Sequence, residues 1–315
     1  MISILPPLYK DEIIFNYFGR YHNICGNNSS IHTSEELFGI KLLNKSIYHP
    51  RRLDYFCSNF HSDQDIDSDY IIENHTIFPF FRPFLSDEKK STCIKWLKEK
   101  STGALKTMMG ANAESILNKN IIKICSECFE EDLEENGEAY IHRIHQIPGY
   151  LYCIKHELFL DEINVEEIDE KLIRNFFDIN DLKYTNIKKE KIKKIDSRLL
   201  NIMYDIKRIV NNELPELDQL NLDVIKKKYE LRIIKNNYTN KGKIKRRDLS
   251  NDLHKYYSSD VLSQLESNFD PSYGENWIFK LVRRNNCVCH VIRHLLLINF
   301  LFGNLDNFLS FKVEN

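Results

Sequence analysis

The stretch CSECFEEDLEENGEAYIHRIHQIPGYLYCIKH, residues 125–156, contains three cysteines and three histidines. Cys125 and Cys128 are separated by two residues, a spacing that lets one turn direct both thiolates at a single tetrahedral zinc ion. Two later pairs with the same spacing compete to complete such a site: His142 with His145, and Cys153 with His156. The fold of this region depends on which pair is used.

The second pair is the better candidate. Pro148 and Gly149 soon follow the histidine pair and leave no room for the long helix that carries the histidine ligands of a zinc finger. We therefore predict one structural Zn²⁺ ion with four protein ligands and no open position for a catalytic water. The predicted ligands are Cys125, Cys128, Cys153 and His156. His142 and His145 then become surface or core histidines, with contact to DNA phosphate as a second interpretation.

The composition indicates a folded globular protein. With 315 residues, 42% of them hydrophobic, the chain can form roughly two domains, or one domain with lobes. The longest aliphatic run, 295–298, is far shorter than a bilayer span, and the N-terminus MISILPPLYKDE is not a secretion signal. We therefore expect a cytoplasmic protein without a membrane partner, whose eight cysteines are metal ligands and buried thiols rather than disulfides.

Motifs of common enzymes are missing from the sequence. It has no Walker motif, nucleophile elbow or glycine-rich dinucleotide loop, and its ten glycines leave little room for one. Acidic residues that could form a nuclease triad cluster at 127–138 and 161–170, where solvated segments are the simpler interpretation. We predict that the protein is not an enzyme and has no catalytic residues.

Short amphipathic helices are predicted before the cysteine motif. Residues 11–24 place apolar side chains on one helical face. A capping box of Thr33 with Glu36 and a stop at Gly39 predict a second helix. The two helices resemble a helix-turn-helix, although helical hairpins without a DNA role are commoner. The aromatic stretch HTIFPFFRPF, residues 75–84, contains two prolines and is expected to be irregular.

A basic segment follows further along the chain. Residues 223–265 are typical of a helix, an Asn/Gly turn and further helix, and the sequence KGKIKRR (241–247) stands just before the helix predicted to start at Asp248. A basic turn ahead of a helix can hold phosphates through its side chains and the free N–H groups of the helix. A solvated charged face is the alternative. The candidate DNA contacts in this segment are Lys243, Lys245, Arg246 and Arg247.

The stretch RRNNCVCHVIRHLLLINFLFG (283–303) contains further candidates. Two cysteines and two histidines, Cys287, Cys289, His290 and His294, suggest a second metal site, but two thiols in Cys-x-Cys on a helix point to different sides. A buried helix in which these side chains fill polar gaps is the preferred interpretation. The arginines are candidate DNA contacts because Arg reaches both phosphates and guanine edges: Arg283, Arg284 and Arg293.

These patterns together predict a mainly α-helical protein with a small zinc-ribbon-like β element, in which helix-turn-helix type lobes surround a zinc motif of three cysteines and one histidine. Four segments are expected. They are an N-terminal helical, helix-turn-helix-like lobe (1–120), the zinc-binding motif (121–165), an acidic, solvated connector with a helix (166–220), and a basic helix-turn-helix-like lobe (221–315).

Four stretches in this order resemble the TniQ/TnsD family of target-site selectors from heteromeric cut-and-paste transposons: ILPPLYKDEIIFNYFGRYHNICGN, HTIFPFFRPF, CSEC with GEAYIHRIHQIPGYLYCIKH, and WIFKLVRRNNCVCHVIRHLLLINFLFG. The resemblance implies a Cys-Cys-Cys-His zinc site at the four predicted ligands. It also implies a non-catalytic protein that binds a double-stranded DNA attachment site and recruits an AAA+ ATPase regulator, which engages the transposase.

Two functional types exist within that resemblance. A direct selector reads the attachment site itself, whereas an adaptor bridges an RNA-guided CRISPR effector complex to the AAA+ regulator. The basic segment 226–247 favours the direct selector. The expected location is the bacterial cytoplasm, at the nucleoid when the protein is bound to DNA. Site-specific members are longer than this chain, so the resemblance leaves open whether it is a short member or part of a longer protein.

Overall fold

A computed structural model of the chain describes residues 5–41, 50–60, 65–99, 105–109, 121–164, 176–181, 195–273, 275–282 and 289–313. Helices dominate these residues, which confirms the mainly α-helical class. The α-helices are α1 (Ile14–Ile24), α2 (Ser30–Phe38), α3 (Leu53–Cys57), α4 (Ser68–His75), α5 (Phe78–Phe81), α6 (Asp87–Lys98), α7 (Leu105–Met108), α8 (Ser126–Asn136), α9 (Ser197–Val210), α10 (Pro215–Gln219), α11 (Leu222–Lys235), α12 (Arg246–Gln264), α13 (Trp277–Val282), α14 (Val291–Phe302) and α15 (Leu305–Ser310). Single turns of 3-10 helix cover Arg82–Phe84, Ile144–Gln146 and Ile179–Asp181.

Short antiparallel strand pairs complete the secondary structure of the described residues. The strands are β1 (Ile121–Ile124), β2 (Tyr152–Cys153), β3 (Leu158–Phe159), β4 (Asp161–Asn164), β5 (Thr239–Asn240) and β6 (Lys243–Ile244). β1 pairs with β4, β2 with β3, and β5 with β6. The first two pairs flank the cysteine motif and form the small β element that the sequence predicts. No helix in these parts of the chain is both long enough and apolar enough to cross a bilayer.

Contacts between Cα atoms group the chain into two compact units. Unit 1 comprises Met1–Pro79, Ser91–Leu105 and Asn118–Lys193, and unit 2 comprises Phe80–Lys90, Lys106–Leu117 and Lys194–Asn315. Unit 1 therefore includes both the N-terminal helices and the cysteine motif. The division into four segments stays a prediction.

Helix α1 and the residue before it provide the core of unit 1. The apolar face that the sequence predicts is buried, and its members are Ile13, Ile14, Tyr17, Phe18 and Tyr21. The ring of Phe18 lies 4.9 Å from that of Phe38 in α2 and 5.0 Å from that of Phe56 in α3. Edge-to-face pairs at such distances are favourable. Helices α1, α2 and α3 thus share one aromatic core.

The start of α2 differs from the prediction. Ser29 is the N-cap, and its hydroxyl accepts a hydrogen bond from the N–H of Ile31 at 3.3 Å. Thr33 lies inside the helix, where its hydroxyl accepts from the side-chain amide of Asn27 at 3.0 Å. Ser and Thr are both good caps, so the spacing alone selected the wrong one. The predicted stop is confirmed, because Gly39 ends the helix with φ 67°.

A short segment far along the chain packs against α1. Phe177 is buried, and a Cβ built on Gly19 would overlap its carbonyl oxygen. Asn180 accepts from the N–H of Ala139 at 3.0 Å and donates to its carbonyl at 2.8 Å. The sequence suggested a solvated connector here, but residues 176–179 belong to the core of unit 1. Only glycine in α1 permits so close an approach.

Unit 2 is built around α14. This helix is apolar on all sides and buried except at Phe300, as expected for a helix surrounded by others. It contacts α9, α11, α12, α13 and α15. Two of its buried polar side chains have hydrogen-bond partners: Asn299 donates to a carboxylate oxygen of Asp205 at 2.7 Å, and Nδ1 of His294 lies 3.0 Å from the hydroxyl of Tyr229.

Candidate metal centre and basic surface

Two turns bring the four predicted ligands together. Cys125 follows β1 and is the N-cap of α8, so Cys128 lies in the first turn of that helix. Cys153 ends β2, which pairs with β3, and His156 lies in the turn between these strands. This turn is tight enough to place Glu157 at a positive φ of 55°. Each pair of ligands is thus held by one local turn anchored on a strand.

The ligand atoms have the spacing of a tetrahedral site. Nδ1 of His156 is 3.4 Å from Sγ of Cys125 and 3.3 Å from Sγ of Cys128. Sγ of Cys153 is 3.8 Å from that nitrogen and 3.8 Å from Sγ of Cys128. With Zn–S of about 2.3 Å and Zn–N of about 2.0 Å, a tetrahedron has edges of about 3.8 Å between two sulfurs and about 3.5 Å between nitrogen and sulfur. The four residues could therefore hold a metal ion.

The burial and the pKa shifts of the cysteine thiols are also compatible with a bound cation. Cys125, Cys128 and Cys153 are buried. Hydrogen bonds from the other two thiols hold the pKa of Cys153 well below its usual range, whereas the same kind of neighbours raise the pKa of Cys128. The two pKa values move in opposite directions because thiolates at this distance repel one another. A bound cation would remove that repulsion and deprotonate the ligands.

An outer carboxylate orients the imidazole. Nε2 of His156 lies 3.0 Å from Oε1 of Glu131, which is on α8 one turn after Cys128. Lys155 also pairs with Glu131, and these two hydrogen bonds lower the pKa of its carboxyl group. A carboxylate that accepts from the distal nitrogen of a histidine fixes its tautomer and leaves Nδ1 for a metal. Glu131 was not predicted from the sequence, although its position three residues after Cys128 was a usable signal.

The two remaining histidines of the motif lie outside the four-ligand cluster. Nε2 of His142 is 2.9 Å from a carboxylate oxygen of Asp132, which is buried. His145 is only 2% exposed, and burial lowers its pKa to about 3. The rings of these histidines stack with Tyr140 and Tyr150. His145 is therefore a core residue of unit 1, and His142 is half-buried with a carboxylate partner.

The loop between the two ligand pairs is bonded to the N-terminal segment. The N–H of Ile13 donates to the carbonyl of Ile141 at 2.9 Å, and the N–H of Arg143 donates to the carbonyl of Asp11 at 2.7 Å. The guanidinium of Arg143 also donates to the carboxylate of Asp11 at 2.8 Å. The loop enclosed by the ligands is thus in contact with the segment that precedes α1.

A buried ionic network strengthens this contact. Arg20 in α1 is fully buried and donates to Glu12 at 2.8 Å and to Glu138 at 2.6 Å. Tyr9 donates to the same oxygen of Glu138 at 2.9 Å, and its ring lies 4.1 Å from the guanidinium carbon of Arg20. Arg20 therefore links the N-terminal segment, α1 and the ligand loop.

Helix α8 has an acidic outer side. Glu130, Glu134 and Glu135 of α8 are exposed, and Leu133 between them is 41% exposed. Carboxylates at this density repel the phosphates of DNA. The outer side of α8 therefore does not favour contact with DNA phosphates.

Exposed cations surround the start of α12. Strands β5 and β6 form a hairpin whose turn is Lys241 and Gly242, both with positive φ. Lys243, Arg246 and Arg247 are exposed and Lys245 is half-buried. Lys245 is the N-cap of α12, and no side chain caps this end of the helix. The N–H groups of its first turn thus point toward a cluster of positive charge, where an anion would be stabilised.

The other arginine candidates have different positions. Arg293 is 5% exposed in α14, and burial lowers its pKa. Its side chain therefore offers little surface to a DNA phosphate in this structure. Arg283 and Arg284 lie outside the described residues.

The sequence also suggested a second metal site, at Cys287, Cys289, His290 and His294. Among the described residues, one cluster has metal-ligand spacing, and it is the group of three cysteines and one histidine. The second site is therefore not formed in this part of the chain. His290 instead caps α14 and accepts from the N–H of Ile292 at 3.2 Å. Cys289 is buried beside it, and Cys287 lies outside the described residues.

Comparison with known proteins adds independent observations. A family model described as TniQ matches residues 3–160, half of the chain, and one described as Tn7-like transposition protein D (TnsD) matches residues 202–315. The Escherichia coli protein named Transposon Tn7 transposition protein TnsD is 26% identical over 151 residues. The aligned part covers 48% of this chain and 30% of that relative, so the chain corresponds to less than two thirds of the relative's length.

Proposed function

Because the chain belongs to the TniQ/TnsD family of transposition proteins, we propose that it selects the target site of a transposon. In this role it binds a double-stranded DNA attachment site and recruits an AAA+ ATPase regulator, which engages the transposase. It performs no cleavage itself.

The basic surface at the start of α12 supports the DNA-binding part of this proposal. It combines exposed cations with an uncapped helix N-terminus, and it lies in the region that the TnsD family model matches. Side-chain cations and free N–H groups are the two means by which proteins hold DNA phosphates. The proposed contacts are Lys243, Lys245, Arg246 and Arg247, together with Arg283 and Arg284.

The proposed ion of the cysteine and histidine cluster is Zn²⁺, held by Cys125, Cys128, Cys153 and His156. Three thiolates and one imidazole are typical ligands of structural zinc, and a closed set of four leaves no position for a reacting water. The residues around the cluster position the ligands: Glu131 holds His156, the start of α8 carries Cys125 and Cys128, and β2 carries Cys153. The proposed role of the ion is to stabilise the fold of unit 1.

A direct DNA-binding experiment tests the proposal. The full chain, loaded with zinc, is titrated against duplex fragments from the insertion region of its transposon, without guide RNA, over a series of salt concentrations. A direct selector binds one fragment more tightly than the others, with an affinity that falls steeply as salt rises. If no fragment is bound at moderate salt, direct selection is wrong and the adaptor to a CRISPR effector complex becomes the preferred function.

A further inference from the structure

A cavity of about 410 Å³ opens beside the basic surface of unit 2. The described residues that line it come from three neighbouring elements: β6, the start of α12, and α13. They are Lys243, Ile244, Arg246, Phe279 and Val282. Cavities of roughly 300–1,000 Å³ are the usual size of small-ligand sites, so this one has room for a ligand of moderate size.

The lining has two chemical parts. Ile244, Phe279 and Val282 provide apolar surface, and Phe279 is buried, so its ring is held in position by the core. Lys243 and Arg246 provide positive charge and are exposed to solvent. The guanidinium carbon of Arg246 lies 5.2 Å from the centre of the Phe279 ring, and its Nη1 is 3.4 Å from Glu275. One side of the cavity is thus flat and apolar, and the other is cationic.

This combination selects a class of ligand. An inorganic anion would leave the apolar wall uncovered, and a purely apolar ligand would gain nothing from the cations. A nucleobase is planar and stacks on an aromatic ring or a guanidinium plane, while its attached phosphate pairs with Lys or Arg. The cationic side of the cavity also consists of residues that form the proposed DNA-binding surface.

We propose that this cavity binds a single unstacked nucleotide, with the base against Ile244, Phe279 and Val282 and the phosphate at Lys243 and Arg246. The inference rests on the proposed function where the nucleotide belongs to bound DNA. An unpaired or extruded base then enters the cavity while neighbouring phosphates stay on the start of α12. A free nucleotide has the same chemistry and is the other source of such a ligand.

Two probes distinguish these sources. The first is a pair of short duplexes of identical sequence, one fully paired and one carrying an extra unpaired 2-aminopurine, titrated at low salt. The second is dAMP, used alone and as a competitor. We expect the duplex with the unpaired base to bind about 5-fold or more tightly than the paired one, since stacking of a single base contributes an effect of about this size or larger.

A variant that fills the cavity makes the test specific. Val282→Trp places a large ring in the cavity and should remove the preference for the unpaired base while leaving binding of the paired duplex intact. Ile234→Trp is the matched control, because Ile234 is 49% exposed in α11 and does not line the cavity. If thermal melting shows that Val282→Trp is misfolded, Ile244→Trp replaces it.

Each outcome has a defined meaning. Equal binding of both duplexes without dAMP binding overturns the inference, as does a preference that survives filling of the cavity. Saturable dAMP binding that Val282→Trp abolishes supports the site with a free nucleotide as its ligand, even if neither duplex binds. In that last case the site stands and the DNA-selection proposal fails. If both duplexes bind equally and dAMP does not bind, the opposite holds: the proposed DNA-binding surface is supported and the nucleotide site is wrong.

Discussion

The side chains of His156 and Glu131 form a bonded pair, with 3.0 Å between Nε2 and Oε1, that points the other imidazole nitrogen at three thiols. We predict that Glu131→Gln weakens metal binding about 10- to 100-fold, the usual effect of removing such an outer carboxylate. Competition for zinc with a chromophoric chelator measures the change. Glu134→Gln, at an exposed position on the same helix, is the control and should match the wild type.

Arg20 is expected to be a major stabilising residue of unit 1. Arg20→Met leaves Glu12 buried without its cation, and breaking a buried pair in this way costs about 3–5 kcal/mol of the free energy of unfolding. The half-buried surface pair of Arg198 with Asp196 in unit 2 offers a comparison, since surface pairs contribute about 0–1 kcal/mol. Thermal melting of Arg20→Met and Arg198→Met should show this contrast. A double variant, Arg20→Met with Glu12→Gln, should recover part of the loss.

Gly19→Ala tests the packing of residues 176–180 on α1. Alanine favours a helix over glycine by about 1 kcal/mol, so helix propensity alone predicts a more stable protein. The added Cβ would instead overlap the backbone of Phe177, and overpacking of this kind costs about 1–3 kcal/mol. We predict a lower melting temperature and faster proteolysis near Phe177. A variant as stable as the wild type would contradict the packing.

The buried carboxylate of Asp205 predicts a pH dependence. Burial raises its pKa to about 6, above the value of about 3.9 in an unfolded chain. The folded state therefore binds the proton more tightly, and the stability associated with this group is lost as pH rises from about 4 to 6. Asp205→Asn should stabilise unit 2 at pH 7.5, on the order of 2–3 kcal/mol, and have little effect near pH 3.5.

Asp306 provides a control of opposite sign. It is exposed, and its hydrogen bonds with Arg208 lower its pKa. Its contribution to stability is therefore present at neutral pH and lost in acid, so Asp306→Asn should destabilise slightly near pH 7 and not at low pH. Melting temperatures of Asp205→Asn and Asp306→Asn, measured from about pH 3.5 to about pH 7.5, test both predictions. If the difference from the wild type stays constant with pH for both variants, neither carboxyl group is coupled to folding as described.

Removal of one cation from the basic surface should change the salt dependence of DNA binding. Each phosphate contact contributes about 0.9 to the slope of log affinity against log salt concentration. Arg247→Gln is expected to reduce that slope by about this amount, and Lys207→Gln, at an exposed position in α9, should leave it unchanged. Fluorescence anisotropy with a labelled duplex measures both. An unaltered slope in Arg247→Gln would exclude Arg247 from the interface.

The sequence predicted those parts of the structure that are determined by residues close together in the chain. The two ligand pairs, each with two residues between its members, identified the four residues that the structure brings together, and the apolar face of residues 11–24 identified α1. Spacing also indicated a stop at Gly39, since glycine takes the left-handed conformation easily. In each case the residues that decide the structure are neighbours in the chain.

Features that depend on distant residues were not predictable from such patterns. Arg293 is buried because α14 packs against five other helices. In the sequence it belongs to the stretch that begins with the basic pair Arg283 and Arg284, and this setting gives no sign that its side chain is buried. The docking of Phe177 on Gly19 joins positions that no periodicity relates. Ser29 and Thr33 can both cap a helix, so the spacing of Thr33 with Glu36 did not show where α2 begins.

The bonds from Asp11 and Glu12 to the ligand loop have a practical consequence for handling this protein. A recombinant fragment that starts about a dozen residues late, or carries a rigid tag fused close to Tyr9, would lack or disturb partners of Arg143, Arg20 and Glu138, although it retains every metal ligand. If the cluster holds the proposed metal ion, such a protein should release it more readily than the full chain. Damage at its first residues would then be mistaken for a defect of the cysteine motif.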